Sequence, residues 1–477
     1  MKPELRVLSD DERQTIHEEA IRILEEVGVK FPAERALDLL EEKGADVDRA
    51  AMTAKISARM VGEALASCPK EVFFGARDRA WDFTLPSASS LYNLDGCGVF
   101  TYDYASGARR ASVLQDVADA AKIFDRFDLG YLAWPPVSPE DVPIGPRSII
   151  STATVMKNTS KHVMDEVKTP EEVPYMVEIS AALAGGHDKL KERNMYSVTY
   201  CTVSPLTHDG SMMTATMDLS RYHAPILVYP TPATGTTGPV SLYYNVVMAV
   251  AEALSSIVLF QACSPGCPLV MGAAMGAVDG RTGAFFYAMP ETVLMLEAVR
   301  EMCDYYNMPS FIAGATADAK NPGIQAAIEK VLTSLPLVLS GTGMLNGIGL
   351  LECGMTLSFE QMVIDGEIAL LNHRMKAGID ISPEKNLFED VKAIGPGGHF
   401  LKRKSTRTLF RTEEFYQTDF LDRGSYEDWA AAGGKDLLAR AHDRVLAILK
   451  EDSRVPMDSG LAKVIREIVE EAAAKLV

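Results

Sequence analysis

From residue 112 onward, short β-branched runs alternate with longer amphipathic segments, and no other feature constrains the fold as strongly. Apolar runs at 130–134, 162–165, 196–203, 226–229, 269–272, 310–313, 337–340 and 379–381 read as strands. Segments at 113–127, 147–157, 171–184, 240–262, 290–306, 322–334 and 357–376 read as helices. Strands separated by a helix pair parallel, because a crossover of a dozen or more residues is what parallel neighbours need. About eight such units in succession predict an α/β fold, a closed (β/α)8 TIM barrel, with an open doubly wound sheet as the alternative. In either architecture the chemistry sits at the C-terminal ends of the strands.

The flanks have a different character. Ser9 and Glu12 have the spacing of a capping box, and the helix behind them places Ile16, Ala20, Ile23, Leu24 and Val27 on one face before Gly28 stops it. Helices are also expected from Pro32 to Gly44 and over 58–67. Residues 71–112, with VFFGA, WDFTL, LYNLDG and VFTYDY, read as hairpins of an antiparallel sheet laid across the barrel mouth. The expected organisation is an N-terminal helical cap with a small antiparallel β segment over 1–111, the barrel over 112–385, and a C-terminal helical extension over 386–477 with helices at 435–451 and 459–476. Apolar faces on the terminal helices suggest a homo-oligomer.

Composition excludes some classes. A net charge of −18 and a pI near 5.0 disfavour nucleic-acid binding, which needs a basic face. The longest apolar run, 246–260, is broken by Glu252, Ser255 and Ser256 and reads as a buried helix, not a membrane span. The N-terminal MKPELRVLSDDER has no apolar leader core, and the seven cysteines follow no disulfide framework, so a cytoplasmic protein is expected. Cys263 and Cys267 have no matching Cys or His pair, and no metal centre is expected.

Candidate chemistry gathers at the expected strand ends. In the stretch 309–330, PSFIAGATADAKNPGIQAAIEK, a strand breaks at Gly314, a polar loop carries Asp318 and Lys320, and Asn321-Pro322 has the pattern of an N-cap and first helical residue. Gln325 and Glu329 lie on the helix that follows, and these four are the catalytic candidates. Trp134, Tyr200 and Tyr229 fall at or near strand ends, where several aromatic faces around one cavity would hold a quaternary ammonium. His162 and His208 are further polar groups expected on that face. The glycine-rich GTGMLNGIG (341–349) places its third glycine one position late for a dinucleotide fingerprint, so it reads as close backbone packing.

The stretches TVSPLTHD (202–209), PATGTTGPVSL (232–242), PGCPLVMGA (265–273), GATADAK (314–320), QAAIEK (325–330) and GPGGHFL (395–401) resemble the trimethylamine:corrinoid methyltransferase (MttB-like) family. The resemblance extends over nearly the whole chain. It implies a (β/α)8 barrel that moves a methyl group from an amine to the cobalt of a corrinoid (cobalamin) carried by a separate protein, with no tightly bound cofactor of its own. Trimethylamine enzymes of this family carry pyrrolysine in the segment matching roughly 323–325. Here Gly323, Ile324 and Gln325 stand there, so the chain resembles the non-pyrrolysine branch. That branch acts on quaternary amines: glycine betaine is the first expectation, with proline betaine, carnitine or another N-methylated compound as alternatives.

On that reading Trp134, Tyr200 and Tyr229 hold the ammonium. Lys320 or His162, with N–H groups at the start of the 322–334 helix, holds a substrate carboxylate. Asp318 orients Lys320 or complements the cation, while Gln325 and Glu329 line the site. The rival class is a barrel that binds quaternary ammonium without catalysis.

Overall fold

The computed structural model describes residues 2–412 and 414–476. Eight parallel strands close into one barrel in chain order. They are β1 (Leu91–Leu94), β2 (Gly130–Ala133), β3 (His162–Asp165), β4 (Tyr196–Tyr200), β5 (Ile226–Val228), β6 (Leu269–Ala273), β7 (Ser310–Ala313) and β8 (Met344–Ile348). Each is followed by a helix: α1 (Leu114–Phe124), α2 (Arg147–Asn158), α3 (Val173–Ala184), α4 (Gly210–Ser220), α5 (Leu242–Cys263), α6 (Pro290–Tyr305), α7 (Ile324–Ser340) and α8 (Phe359–Ala377).

The closed barrel is the expected fold, but two of its strands come from unexpected sequence. The run 337–340 is the last turn of α7, which passes through Pro336 and ends at Gly341 in the left-handed region at φ 95°. The run 379–381 is no strand. In their places stand β8, inside the glycine-rich segment, and β1, inside the stretch expected to pair antiparallel. All four residues of β1 are buried, as a strand covered on both faces requires, so the alternation that marks a half-exposed hairpin is absent. β8 hides its propensity for a steric reason: a Cβ on Gly347 would lie 2.2 Å from the Gly314 carbonyl oxygen at the end of β7. The start of α7 also differs, since Gly323 is its N-cap and Asn321-Pro322 lies before the helix.

The N-terminal end of the barrel is sealed. A hairpin of Val72–Phe74 and Phe83–Leu85 brings Phe74 and Phe83 into a stack at 4.6 Å, and Phe74 meets His162 edge-on at 5.1 Å. At the opposite end the loops carry two small sheets. One joins Phe100–Asp103 and Ala108–Ala111 to Leu350–Leu351 and Thr356–Leu357, and the other joins Ala233–Thr234, Gly276–Val278 and Phe285–Phe286.

Extra helices form a partial outer layer. Asp10–Arg22, started by the expected Ser9/Glu12 capping box, packs on α5 and α6. Leu437–Lys450 packs on α8 and α1, and Ser459–Lys475 on α3 and α2. The helix α5 is long and apolar enough to cross a membrane, yet 89% of its most apolar window is buried inside the fold. Its polar interruptions have structural partners. Glu252 accepts from Ser204 Oγ at 2.8 Å and from the Leu206 N–H at 2.8 Å, which fixes the loop after β4.

Candidate active site

The C-terminal mouth is built on residues that directly follow or end the strands. Asp95 and Cys97 follow β1, Trp134 follows β2, Asp165 ends β3 and Glu166 follows it, Cys201 follows β4 and Tyr229 follows β5. Tyr287 directly follows the Phe285–Phe286 strand of the small sheet, and Asn346 lies within β8. These groups act on one another electrostatically. Asp95 bears on Cys97, Cys201, Tyr229 and Tyr287, and Glu166 bears on Cys97 and Cys201. They therefore form one cluster.

The floor of the cluster is rigid. Trp134 Nε1 donates to Asp165 Oδ1 at 3.0 Å, and the other carboxylate oxygen of Asp165 accepts from Ser148 Oγ at 3.1 Å and from Thr152. Gly96 lies against the indole: a Cβ there would fall 2.0 Å from Trp134 Cε2, so only glycine permits this approach. Asn93 Nδ2 donates to Asn346 Oδ1 at 3.0 Å, and Asn346 Nδ2 donates to the Tyr229 hydroxyl at 3.2 Å. Tyr229 in turn packs on Phe311 with ring centroids 4.5 Å apart.

The carboxyls above this floor are only partly compensated. Asp95 Oδ1 accepts from the Gly96 N–H at 2.8 Å and from the Cys97 thiol at 3.2 Å. Burial raises the Asp95 carboxyl, against the lowering effects of Cys97, Asn346, Gly96 and Lys330. Glu166 has the Cys201 thiol at 4.0 Å and Lys168 Nζ at 4.0 Å. Burial pushes the Glu166 carboxyl up to about 7, and the neighbouring Asp165, Asp95 and Glu172 push the same way. Both carboxylates would be stabilised by a cation placed between them. Burial raises the thiols of Cys97 and Cys201, so they stand as neutral groups. Among the described residues no group of three or more His, Cys, Asp or Glu side chains could hold a metal ion.

Trp134 and Tyr229 are thus where the sequence pointed. Tyr200, His208 and His162 are not. Tyr200 turns outward: its hydroxyl bonds His208 Nδ1 at 2.7 Å, His208 Nε2 reaches Ser255 Oγ at 3.0 Å, and the His208 ring stacks on Phe31 at 4.4 Å. Burial drives the His208 imidazole down to about 3, so it joins barrel to helix layer as a neutral group. His162 opens its strand instead of ending it, which puts it at the sealed end. Its Nδ1–H donates to the Gly75 carbonyl at 2.7 Å and its Nε2 accepts from Ser197 at 2.9 Å.

Asp318, Lys320, Gln325 and Glu329 do come together, as a support for the Tyr287 loop. Asp318 accepts from the N–H groups of Tyr287 at 2.8 Å and Ala288 at 3.0 Å, and from the Cys353 thiol at 3.2 Å. Glu329 accepts from the N–H groups of Asp318 and Ala319 at 2.8 and 2.9 Å, and from Gln325 Nε2 at 2.7 Å. Lys320 Nζ donates to the Asp318 carbonyl at 2.9 Å. Sequence reading missed Asp95, Cys97, Glu166, Cys201 and Tyr287. The available signal was Asp95 in LYNLDGCG and the acidic pair in HVMDE, polar residues directly following buried runs.

The fold is a (β/α)8 barrel whose C-terminal mouth gathers carboxyl and aromatic groups. More specifically, the chain belongs to the trimethylamine methyltransferase (MTTB) family, whose model matches residues 1–476. It is therefore a methyltransferase. It is 30% identical over 463 residues to the trimethylamine methyltransferase MttB of Desulfitobacterium hafniense, covering 97% of this chain and 93% of that one. It is 32% identical over 477 residues to MttB of Methanosarcina barkeri (98% and 95%). It is also 31% identical over 451 residues to a glycine betaine methyltransferase of Desulfitobacterium hafniense (94% and 93%). Among solved structures, the monomethylamine methyltransferase MtmB of Methanosarcina barkeri shares the fold, with a TM-score of 0.54 at 13% identity over 93% of this chain and 89% of that one.

Proposed function

We propose that this enzyme moves a methyl group from a quaternary amine to the Co(I) centre of a corrinoid carried by a separate protein. The carrying observation is the grouping of Asp95, Glu166, Trp134 and Tyr229 at the C-terminal ends of neighbouring strands, two carboxyls raised by burial on the same barrel end as two aromatic rings. Such a site favours a fixed positive charge through both Coulomb attraction and ring quadrupoles.

The step balances without an acid. Co(I) supplies an electron pair to the methyl carbon, the C–N bond breaks, and its electrons remain on nitrogen as a neutral tertiary amine. The residues hold the cation with one methyl directed out of the mouth toward the corrinoid, and keep water from the reacting carbon. As the donor loses its charge, attraction to Asp95 and Glu166 falls and the product leaves. Gly323, Ile324 and Gln325 at the family's pyrrolysine segment support a donor that needs no activation.

The test is anaerobic methylation of cob(I)alamin, followed by the loss of Co(I) absorbance, with quaternary amines against tri- and dimethylamine. Turnover with a quaternary amine and none with trimethylamine is expected. Turnover confined to tri- or dimethylamine would overturn the reading, and binding of quaternary amines without transfer, even to a corrinoid protein, would favour a non-catalytic binding barrel.

A further inference from the structure

The charge balance of the mouth separates a simple cation from a zwitterion. We infer, resting on the methyl-transfer reading, that the donor is a net cation without a carboxylate, of the choline or tetramethylammonium kind, and not a betaine.

A betaine needs a partner for its carboxylate, and both side chains that the sequence offered for that task are engaged elsewhere. His162 seals the far end of the barrel with both ring nitrogens bonded, and burial lowers it to about 4, so it carries no charge there at neutral pH. Lys320 is exposed, donates to the Asp318 carbonyl, and acts on Glu352 and Cys353 outside the carboxyl pair. The start of α7 opens to solvent, with Ile324 84% exposed, and Glu329 one turn further on adds a negative charge beside it.

Among the described residues, Lys330 acts on Asp95 and Lys168 acts on Glu166. Lys330 is fully buried in an ion pair with Asp365 at 2.9 Å and donates to the Gly347 carbonyl at 2.7 Å, so its charge is already matched. Lys168 stands at the rim, with 60% of its side chain exposed, and faces Glu166. Against these stand Asp95, Asp165, Glu166 and Glu172. A substrate carboxylate carried in with the ammonium enters negative surroundings, loses its hydration and gains no fixed donor of opposite charge. A methyl or hydroxyl group in the same place incurs neither cost. The neighbouring thiols and phenols are neutral hydrogen-bonding groups suited to a hydroxyl.

Calorimetric binding to the full chain tests this apart from catalysis, with choline and tetramethylammonium against glycine betaine and carnitine. The cations are expected to bind at least about tenfold more tightly, because an unpaired charge in a low-polarity site is worth that much or more. Glycine betaine binding as tightly as choline would overturn the inference, and loss of that binding in Lys168→Met would name Lys168 as the carboxylate's partner. The same panel in the cob(I)alamin assay reports on the reaction separately. Selective cation binding without methyl transfer, even to a corrinoid protein, would overturn the proposed reaction and leave the charge selectivity standing. Absence of binding by every compound at millimolar concentration would overturn both.

Discussion

The two ends of the barrel treat their titratable groups in opposite ways: Lys161 and His162 are fully buried at one end, while the side chain of Glu166 at the other is 26% exposed. At the N-terminal end, Lys161 Nζ donates to the Phe124 and Phe127 carbonyls and lies 4.2 Å from the centre of the Trp81 ring, while His162 bonds through both nitrogens. Neither of these two side chains is left for a ligand to complete. At the C-terminal end, Asp165 is saturated and serves to hold Trp134, but Glu166 next to it has only a thiol and a rim lysine, each 4.0 Å away. Buried polar groups that are fully paired make a structure rigid, whereas incompletely paired ones store a cost that a ligand of the right charge relieves. The contrast marks the sealed end as stability and the open end as recognition.

The largest expected effect comes from the open end. Asp95→Asn keeps the shape of the side chain and removes the charge, so kcat/KM for the methyl donor should fall by about 100-fold, the usual scale for one well-placed electrostatic group. Thermal unfolding should change little. A normal kcat/KM would show that the open end does not work through charge. At the sealed end, His162→Ala leaves the Gly75 carbonyl and Ser197 hydroxyl without their partner, and denaturant titration should show a loss of about 2–3 kcal/mol. KM in the surviving enzyme should be unchanged, and a raised KM would blur the division between the ends.

Tyr229→Ala should weaken cation binding by roughly tenfold, in line with a ring face lost from a desolvated ammonium, while Tyr229→Phe retains most of it. Unchanged binding in Tyr229→Ala, measured by calorimetry, would remove this ring from the site.

The smallest effects are in pH dependence, and the two ends have opposite signs. Glu166 is raised in the fold from 4.5 to about 7, so its stabilising contribution is complete below 4.5 and is lost as pH rises to about 7. His162 is lowered from 6.5 to about 4, so its contribution is complete above 6.5 and is lost as pH falls toward 4. Glu166→Gln should therefore remove a fall in melting temperature between about pH 4.5 and 7, and His162→Asn should remove a rise between about pH 4 and 6.5. Because a cation binds ionised Glu166 better, KM should fall several-fold as pH rises through about 7, and Glu166→Gln should abolish that trend. A KM that rises over this interval would place the cation elsewhere.

Much of this architecture was legible in the chain because periodicity is local. Seven of the eight barrel helices lie where amphipathic spacing put them, within a few residues except at the end of α7, and six barrel strands lie at expected runs. The two misplaced strands share a cause. Leu91–Leu94 and Met344–Ile348 are strands because neighbours on both sides supply their partners, and their own residues, Asn93, Asn346 and Gly347 among them, favour turns.

The site divides in the same way. Sequence reading identified aromatic residues after buried runs, and two of these, Trp134 and Tyr229, do stand at the mouth. It could not tell whether a residue near a strand end points inward or outward, or which end of a strand it occupies. Tyr200 faces the helices and His162 faces the sealed end because barrel register and strand limits put them there. Nor could it gather Asp95, Glu166 and Tyr287, which are far apart in the chain.

The sequence by itself determined the alternation of elements, the barrel and the family, since these depend on spacing and on short motifs read one after another. Tertiary structure alone decided which carboxyls lack partners. Whether a buried charge is satisfied depends on every atom within a few ångströms of it, and closure of the barrel brings those atoms from strands far apart in the chain.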